Sequence, residues 1–199
     1  MMKVVPDPPK PACSIQQTAQ VTFGSCSNAH EPLFNVQPGV PAEEALRHLS
    51  NHLQAALEAA NHVYTHTPLA DTGMHWSTLW ALEAAKALVE GLRIGAKNGV
   101  IRSAAECNEF IPGTLGKTAE TPFVFCGVGN SSLFSVRNNV MAEDALVHVS
   151  LYLQSAYDTA NSMCMRTPNA DKGMHWATLH GIEVGRALTE ALLEASDVV

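Results

Sequence analysis

LFNVQPGVPAEEAL, residues 33–46, returns as LFSVRNNVMAEDAL at residues 133–146. Downstream, DTGMHWSTL (residues 71–79) returns as DKGMHWATL (residues 171–179), again 100 positions on. Across residues 21–90 and 121–190 about 31 of 70 positions are identical without a gap, so the chain carries one unit twice. Each copy opens with a short apolar run, VTFGSC (21–26) or PFVFCGV (122–128), then a turn-rich stretch, then LFNV or LFSV. Two short runs rich in β-branched and aromatic residues around a turn predict a β-hairpin.

Two helices follow in each copy. Leu46, Leu49, Leu53, Ala56, Ala60 and Val63 are spaced three and four apart, which predicts an amphipathic helix over 42–64. Leu146, Val149, Leu153, Ala156, Ala160 and Met163 repeat the stripe. Glu43 and Glu44, then Glu143 and Asp144, favour the positive end of the helix dipole, and Pro41 suits the first helical position. After Thr67-Pro68 and Thr167-Pro168, Asp71 and Asp171 read as caps of a second helix that runs to about Leu92 and Leu192. Leu82, Ala85, Leu88 and Leu92 mark one face of it, and Trp76 with Leu79 a second, so it packs on two neighbours. Pro38-Gly39 becomes Asn138-Asn139, which predicts a different approach to the third helix.

One helical hairpin leaves a stripe uncovered, and two together cover both. The fold class expected is α+β, mainly α: two ββαα repeats forming a pseudo-twofold four-helix bundle with short β-hairpins. The alternative is two separate ββαα domains. Residues 1–17 read as a flexible Pro-rich arm, 18–96 as repeat 1, 97–117 as a linker and 118–195 as repeat 2. In the linker, Ser103 and Glu106 have capping-box spacing, so a short helix runs to about Phe110 before Pro112-Gly113.

Composition excludes several roles. Of 199 residues 46% are hydrophobic, ordinary for a globular chain. A net charge of -7 without a basic run argues against nucleic acid and against anionic membranes. No run approaches the roughly 20 apolar residues of a membrane span, and no signal peptide is read at the N-terminus. Cys13, Cys26, Cys107, Cys126 and Cys164 are odd in number and form no CxxC, which suits a reducing, cytoplasmic setting.

LFNVQPGVPAEEAL followed by an alanine-rich helix and HWSTLWALEAAKALVEGL (75–92) resembles a family of small bacterial proteins of unknown function. LFSVRNNVMAEDAL with HWATLHGIEVGRALTEAL (175–192) resembles it again, and VVPDPPKP (4–11) is similar to the arms of related short proteins. Family members resemble a single unit, so the resemblance implies a tandem version. It implies no activity, cofactor or catalytic residue.

The candidate site is the shared D-x-G-M-H-W-x-T-L. His75 and His175 fall in the first turn of a helix, where the dipole disfavours an imidazolium and leaves a neutral ring. In a pseudo-symmetric bundle they face each other and, with Trp76 and Trp176, form a ligand-binding pair. The competing structural reading has the tryptophans plug the bundle end while the histidines bond a carbonyl or hydroxyl. Glu83 and Glu183 precede Lys86 and Arg186 by three residues, the spacing of a helix-surface ion pair, and are weighed as buried bases. His48 and His148 follow Glu44 and Asp144 by four, also pair spacing. His48 and His52 have the spacing of a metal grip, but Tyr152 stands in copy two. His62 and His66 become Ser162 and Arg166. Cys26 and Cys126 read as small buried residues of the strands. No catalytic residue, metal ligand set or cofactor is assigned.

The function expected is a non-catalytic protein-interaction or regulatory module built as an internal pseudo-dimer. The alternative is a small-ligand or metal-binding bundle using the paired GMHW segments, and an enzyme ranks behind both. The partner expected is a protein, with the chain a monomer or a homodimer through a surface other than the repeat interface.

Overall fold

The computed structural model describes residues 15–24, 31–66, 72–97, 114–125, 132–168 and 172–196. Their elements run β1 (Val21–Phe23), β2 (Phe34–Val36), α1 (Ala42–Thr65), α2 (Thr72–Lys97), β3 (Thr121–Phe125), β4 (Ser132–Val136), α3 (Ala142–Arg166) and α4 (Gly173–Ser196). The fold is α+β, mainly α, with ββαα occurring twice. Asp71, Asp171, Thr67-Pro68, the 103–113 segment, Cys26 and Cys126 lie outside the described residues.

The helical stripes become the core. Leu46, Leu49, Leu53, Ala56 and Ala60 of α1 join Leu146, Val149, Leu153, Ala156, Ala160 and Met163 of α3 in one buried cluster. Leu79, Leu82, Val89 and Leu92 of α2 and Leu179, Ile182 and Leu192 of α4 complete it. Each fully buried aliphatic side chain stabilises the fold by about 1.5–3 kcal/mol. The one cluster takes in residues of both halves. Leu79 belongs to this core rather than to a face shared with Trp76, because the three-residue step to Leu82 keeps both on one side. Both second helices outrun their expected ends, reaching Lys97 and Ser196, since Ala96 and Ser196 are still buried.

The bundle is square. Each of α1 and α3 packs on both α2 and α4, and the diagonal pairs stand apart. The most extensive contacts, α2 with α3 and α1 with α4, join opposite units. Gly181 lets α4 come close to α1: a Cβ there would lie 3.0 Å from Ala56 Cβ and 3.2 Å from the His52 carbonyl.

The hairpins are exchanged between units. β1 and β2 pair antiparallel, with Val21 opposite Val36. Those two valines pack on Ala187 and Ala191 of α4, the second unit's helix. The Ala19 N–H donates to the Ala191 carbonyl at 2.7 Å. Reciprocally, β3 and β4 pair with Thr121 opposite Val136 and lie on α2, where the Ala119 N–H donates to the Gly91 carbonyl at 2.8 Å. So the second packed face of α2 carries the other unit's hairpin. At the base of the bundle Ile15 and Leu115, each the other's counterpart, exchange two backbone hydrogen bonds (3.3 and 2.8 Å). The end of the expected arm is therefore docked at Ile15, which is buried in the core.

The approaches to α1 and α3 are alike, against the difference expected from Asn138-Asn139. Gly39 (φ 81°) and Asn139 (φ 62°) both adopt the left-handed conformation, which asparagine tolerates better than most residues. Their N–H groups donate to Thr18 and Thr118 carbonyls at 2.9 and 2.8 Å. The buried Thr18 and Thr118 hydroxyls donate to the Gln37 and Arg137 carbonyls and accept from Val40 and Val140 N–H. Pro41 is the cap residue (φ -52°, ψ 136°) rather than the first helical one, and its carbonyl accepts from the Ala45 N–H at 3.0 Å. Its carbonyl is needed there, and its missing N–H costs nothing.

Candidate functional site

At the opposite end from Ile15 and Leu115, the first turns of α2 and α4 meet the last turns of α1 and α3. His75 and His175 are brought together here, with ring centroids 6.1 Å apart and exposures of only 5% and 6%. His175 Nε2 lies 3.1 Å from the Thr167 hydroxyl, which itself donates to the Met163 carbonyl at 2.9 Å. Burial holds His175 below the usual imidazole range. On the other side the Tyr64 ring of α1 lies 6.4 Å from His75 and 6.4 Å from Trp76.

The indoles do not plug this end. Trp76 and Trp176 are 60% and 62% exposed. One residue step turns a helix by about 100°, so a histidine aimed at the axis puts the next residue on the outer flank. The plug is the histidine pair itself, and the tryptophans flank it with the exposed Met165 and Met174. Met74 accepts from Arg166 across the unit boundary at 3.8 Å.

Glu83 and Glu183 sit two turns further along α2 and α4, half-buried. Burial raises the Glu83 carboxyl above its ordinary range, and Lys86 partly opposes this. The expected Glu183–Arg186 pair is absent among the described residues. Arg186 instead reaches Glu190 at 3.7 Å, with its guanidinium 5.9 Å from the Tyr157 ring. The expected Glu44–His48 pair forms at 3.1 Å, with Arg47 on the same carboxylate, while His148 lies by Tyr152 rather than pairing with Asp144. His62 and His66 stack at 4.3 Å on the exposed end of α1. Among the described residues no three His, Cys, Asp or Glu side chains converge as metal ligands.

The spacing argument missed three residues of this end. Thr78 lies in the shared motif, and its hydroxyl meets Thr159 of α3 at 2.7 Å across the unit boundary. Repetition marked Thr78 and Thr167, but Thr159 stands where copy one has Ala59 and carried no signal. Chemically, the end offers two facing imidazoles and a threonine hydroxyl inside a rim of tryptophan and methionine. No described helix is long and apolar enough to cross a membrane.

Residues 18–94 match a family described as "Protein of unknown function (DUF3077)". No curated protein matches the chain. No solved structure matches it either.

Proposed function

We propose that this chain is a non-catalytic protein-interaction module, a tandem of two family units closed on each other as an internal pseudo-dimer. On this reading residues 118–195 are a second copy of the unit at 18–94, and the buried free thiol of Cys164 is in keeping with a bacterial cytoplasm. The observation that carries the reading is the pair of tryptophans. Trp76 and Trp176 are large, rigid and exposed, and they flank an end already sealed beneath them by His75 and His175. Exposed tryptophan with adaptable methionine is the composition of a protein-binding hot spot, and neither indole contributes to the shared core.

The test is capture from native lysate by the immobilised full chain, beside a Trp76→Ala/Trp176→Ala variant. Exposed truncations change stability by only about 0.5 kcal/mol, so the variant keeps its fold. A partner held by the parent and lost by the variant is the expected result. Equal capture by both moves the docking face elsewhere, and no capture removes the reading.

The facing of His75 and His175 favours a second reading, a small-ligand or metal-binding bundle with Glu83 and Glu183 further down the same helices. Elemental analysis separates the two. One zinc, iron or nickel per chain, lost in His75→Ala, replaces the docking reading.

A further inference from the structure

The two joints between the units are built differently. Each brings the first helix of one unit against the second helix of the other: α1 with α4, and α3 with α2. At the α1–α4 joint a Cβ on Gly181 would lie 3.0 Å from Ala56 Cβ and 3.2 Å from the His52 carbonyl. A Cβ and a main-chain oxygen have no rotamer by which to give way. At the α2–α3 joint the counterpart of Gly181 is Ala81, whose methyl is buried in the core. Thr78, three residues earlier on the same side of α2, meets the Thr159 hydroxyl of α3 at 2.7 Å, and the first unit has Ala59 where Thr159 stands.

The next position along differs in the compensating sense. A Cβ on Gly185 would lie 3.4 Å from Leu49 of α1. The counterparts of that pair are Ala85 and Val149. So the larger side chain stands opposite glycine, and the smaller one belongs to the joint whose second helix carries alanine.

We propose that the two units recognise each other selectively: the α1 face takes a second helix with glycine at the place of Gly181, the α3 face takes one with alanine there, and each unit fits the other better than a copy of itself. A pair of first units would set Ala81 against α1 at both joints, overpacking them, and would leave Thr78 facing Ala59. A pair of second units would set Gly181 against α3 at both joints, a methyl short at each. The partner that the joint fits is therefore the opposite unit, in the same chain or in a second copy of it. A first unit offered only its own kind still has an apolar face to cover, and covers it less well. The selectivity lies in the core, where neither Trp76 nor Trp176 takes part, so it stands apart from any docking at the tryptophans.

The test is to exchange the two residues in the full chain. Ala81→Gly/Gly181→Ala has the composition of the parent and the same number of helical glycines, so helix propensity cancels. With α1 and α3 equivalent as acceptors, the exchange would only invert which joint is the closer. Instead the folding equilibrium constant from denaturant unfolding is expected to fall about fivefold or more, from overpacking at α1 and a missing methyl at α3. A smaller fall, or a gain, overturns the proposal. Should the exchanged chain not fold, Gly181→Ala decides by its sign. Helix propensity alone favours alanine by about fivefold, so a net loss is expected and a net gain overturns the selectivity.

Discussion

The two outer faces of the bundle have the same backbone and different surfaces. On α2, Trp80 sits in the angle with the docked hairpin, 5.8 Å from Phe123 and 5.0 Å from Phe134. On α4 the same position is His180, which is exposed, and Phe23 and Phe34 pack on each other at 5.5 Å. Beneath both faces the core pairs like with like: Leu46 with Leu146, Leu53 with Leu153, Leu82 with Ile182, Leu92 with Leu192. The interiors match, because the core of each unit is completed by the other. The exteriors differ, since a hairpin needs only a flat apolar shelf such as Ala187 and Ala191.

The hardest test of that comparison is to separate the units. Residues 15–97 alone expose the α2 and α1 faces that α3 and α4 cover, and their hairpin has no α4 to lie on. The fragment is expected to dimerise with itself, hairpins exchanged, or to aggregate. A well-folded monomer at tens of micromolar by sedimentation would show that each unit closes its own core.

Next in size, Leu53→Ala and Leu153→Ala are each expected to lose about 2–5 kcal/mol in denaturant unfolding, from lost burial and a residual cavity. Both leucines are fully buried in one cluster, so the losses should be similar. A loss below about 1 kcal/mol at either position breaks the equivalence of the cores.

Gly95→Ala should reveal where the units are not interchangeable. A Cβ at Gly95 would collide with the Lys117 carbonyl, although the counterpart position already holds Ala195. Displacing that backbone is expected to cost about 1–3 kcal/mol by thermal unfolding. An unchanged Tm would mean that the backbone around Lys117 gives way to the added methyl.

The smallest effect is a gain. Gly24 (φ 81°) and Val124 (φ 54°) are counterparts in the left-handed region, which a β-branched residue adopts only under strain. Val124→Gly is expected to stabilise by about 1 kcal/mol, relief of strain outweighing the looser unfolded chain. Gly24→Val should be damaging, because a Cβ there would lie 2.8 Å from the Phe34 ring. If Val124→Gly destabilises, the valine side chain packs better than its backbone strain suggests.

These contrasts show what the sequence made legible. Leu46, Leu49 and Leu53 announced a helix and its buried face, because period alone carries both facts. Repetition of His75 and His175 in a bundle was enough to expect a facing pair. The hairpin exchange was not legible, since an apolar stripe on α2 states that something covers it and not which unit does. Nor was the exposure of Trp76, because hydrophobicity favours burial while helix rotation, set by His75 and Leu79, decides the side. Asn139 misled for a local reason: a change of residue type suggested a change of path, yet asparagine reaches the same left-handed turn as Gly39.

The docking of Ala19 on Ala191 and of Ala119 on Gly91 brings the tail of each second helix beside the opening strand of the opposite unit. The described chain therefore starts and finishes at one pole, and Lys97 and Thr114 lie at that pole as well. Connectivity there is a matter of stitching rather than architecture. A circular permutant that begins at Thr114, runs to Ser196, continues through a short linker into Ile15 and stops at Lys97 would keep every helix contact, with the order of the units reversed.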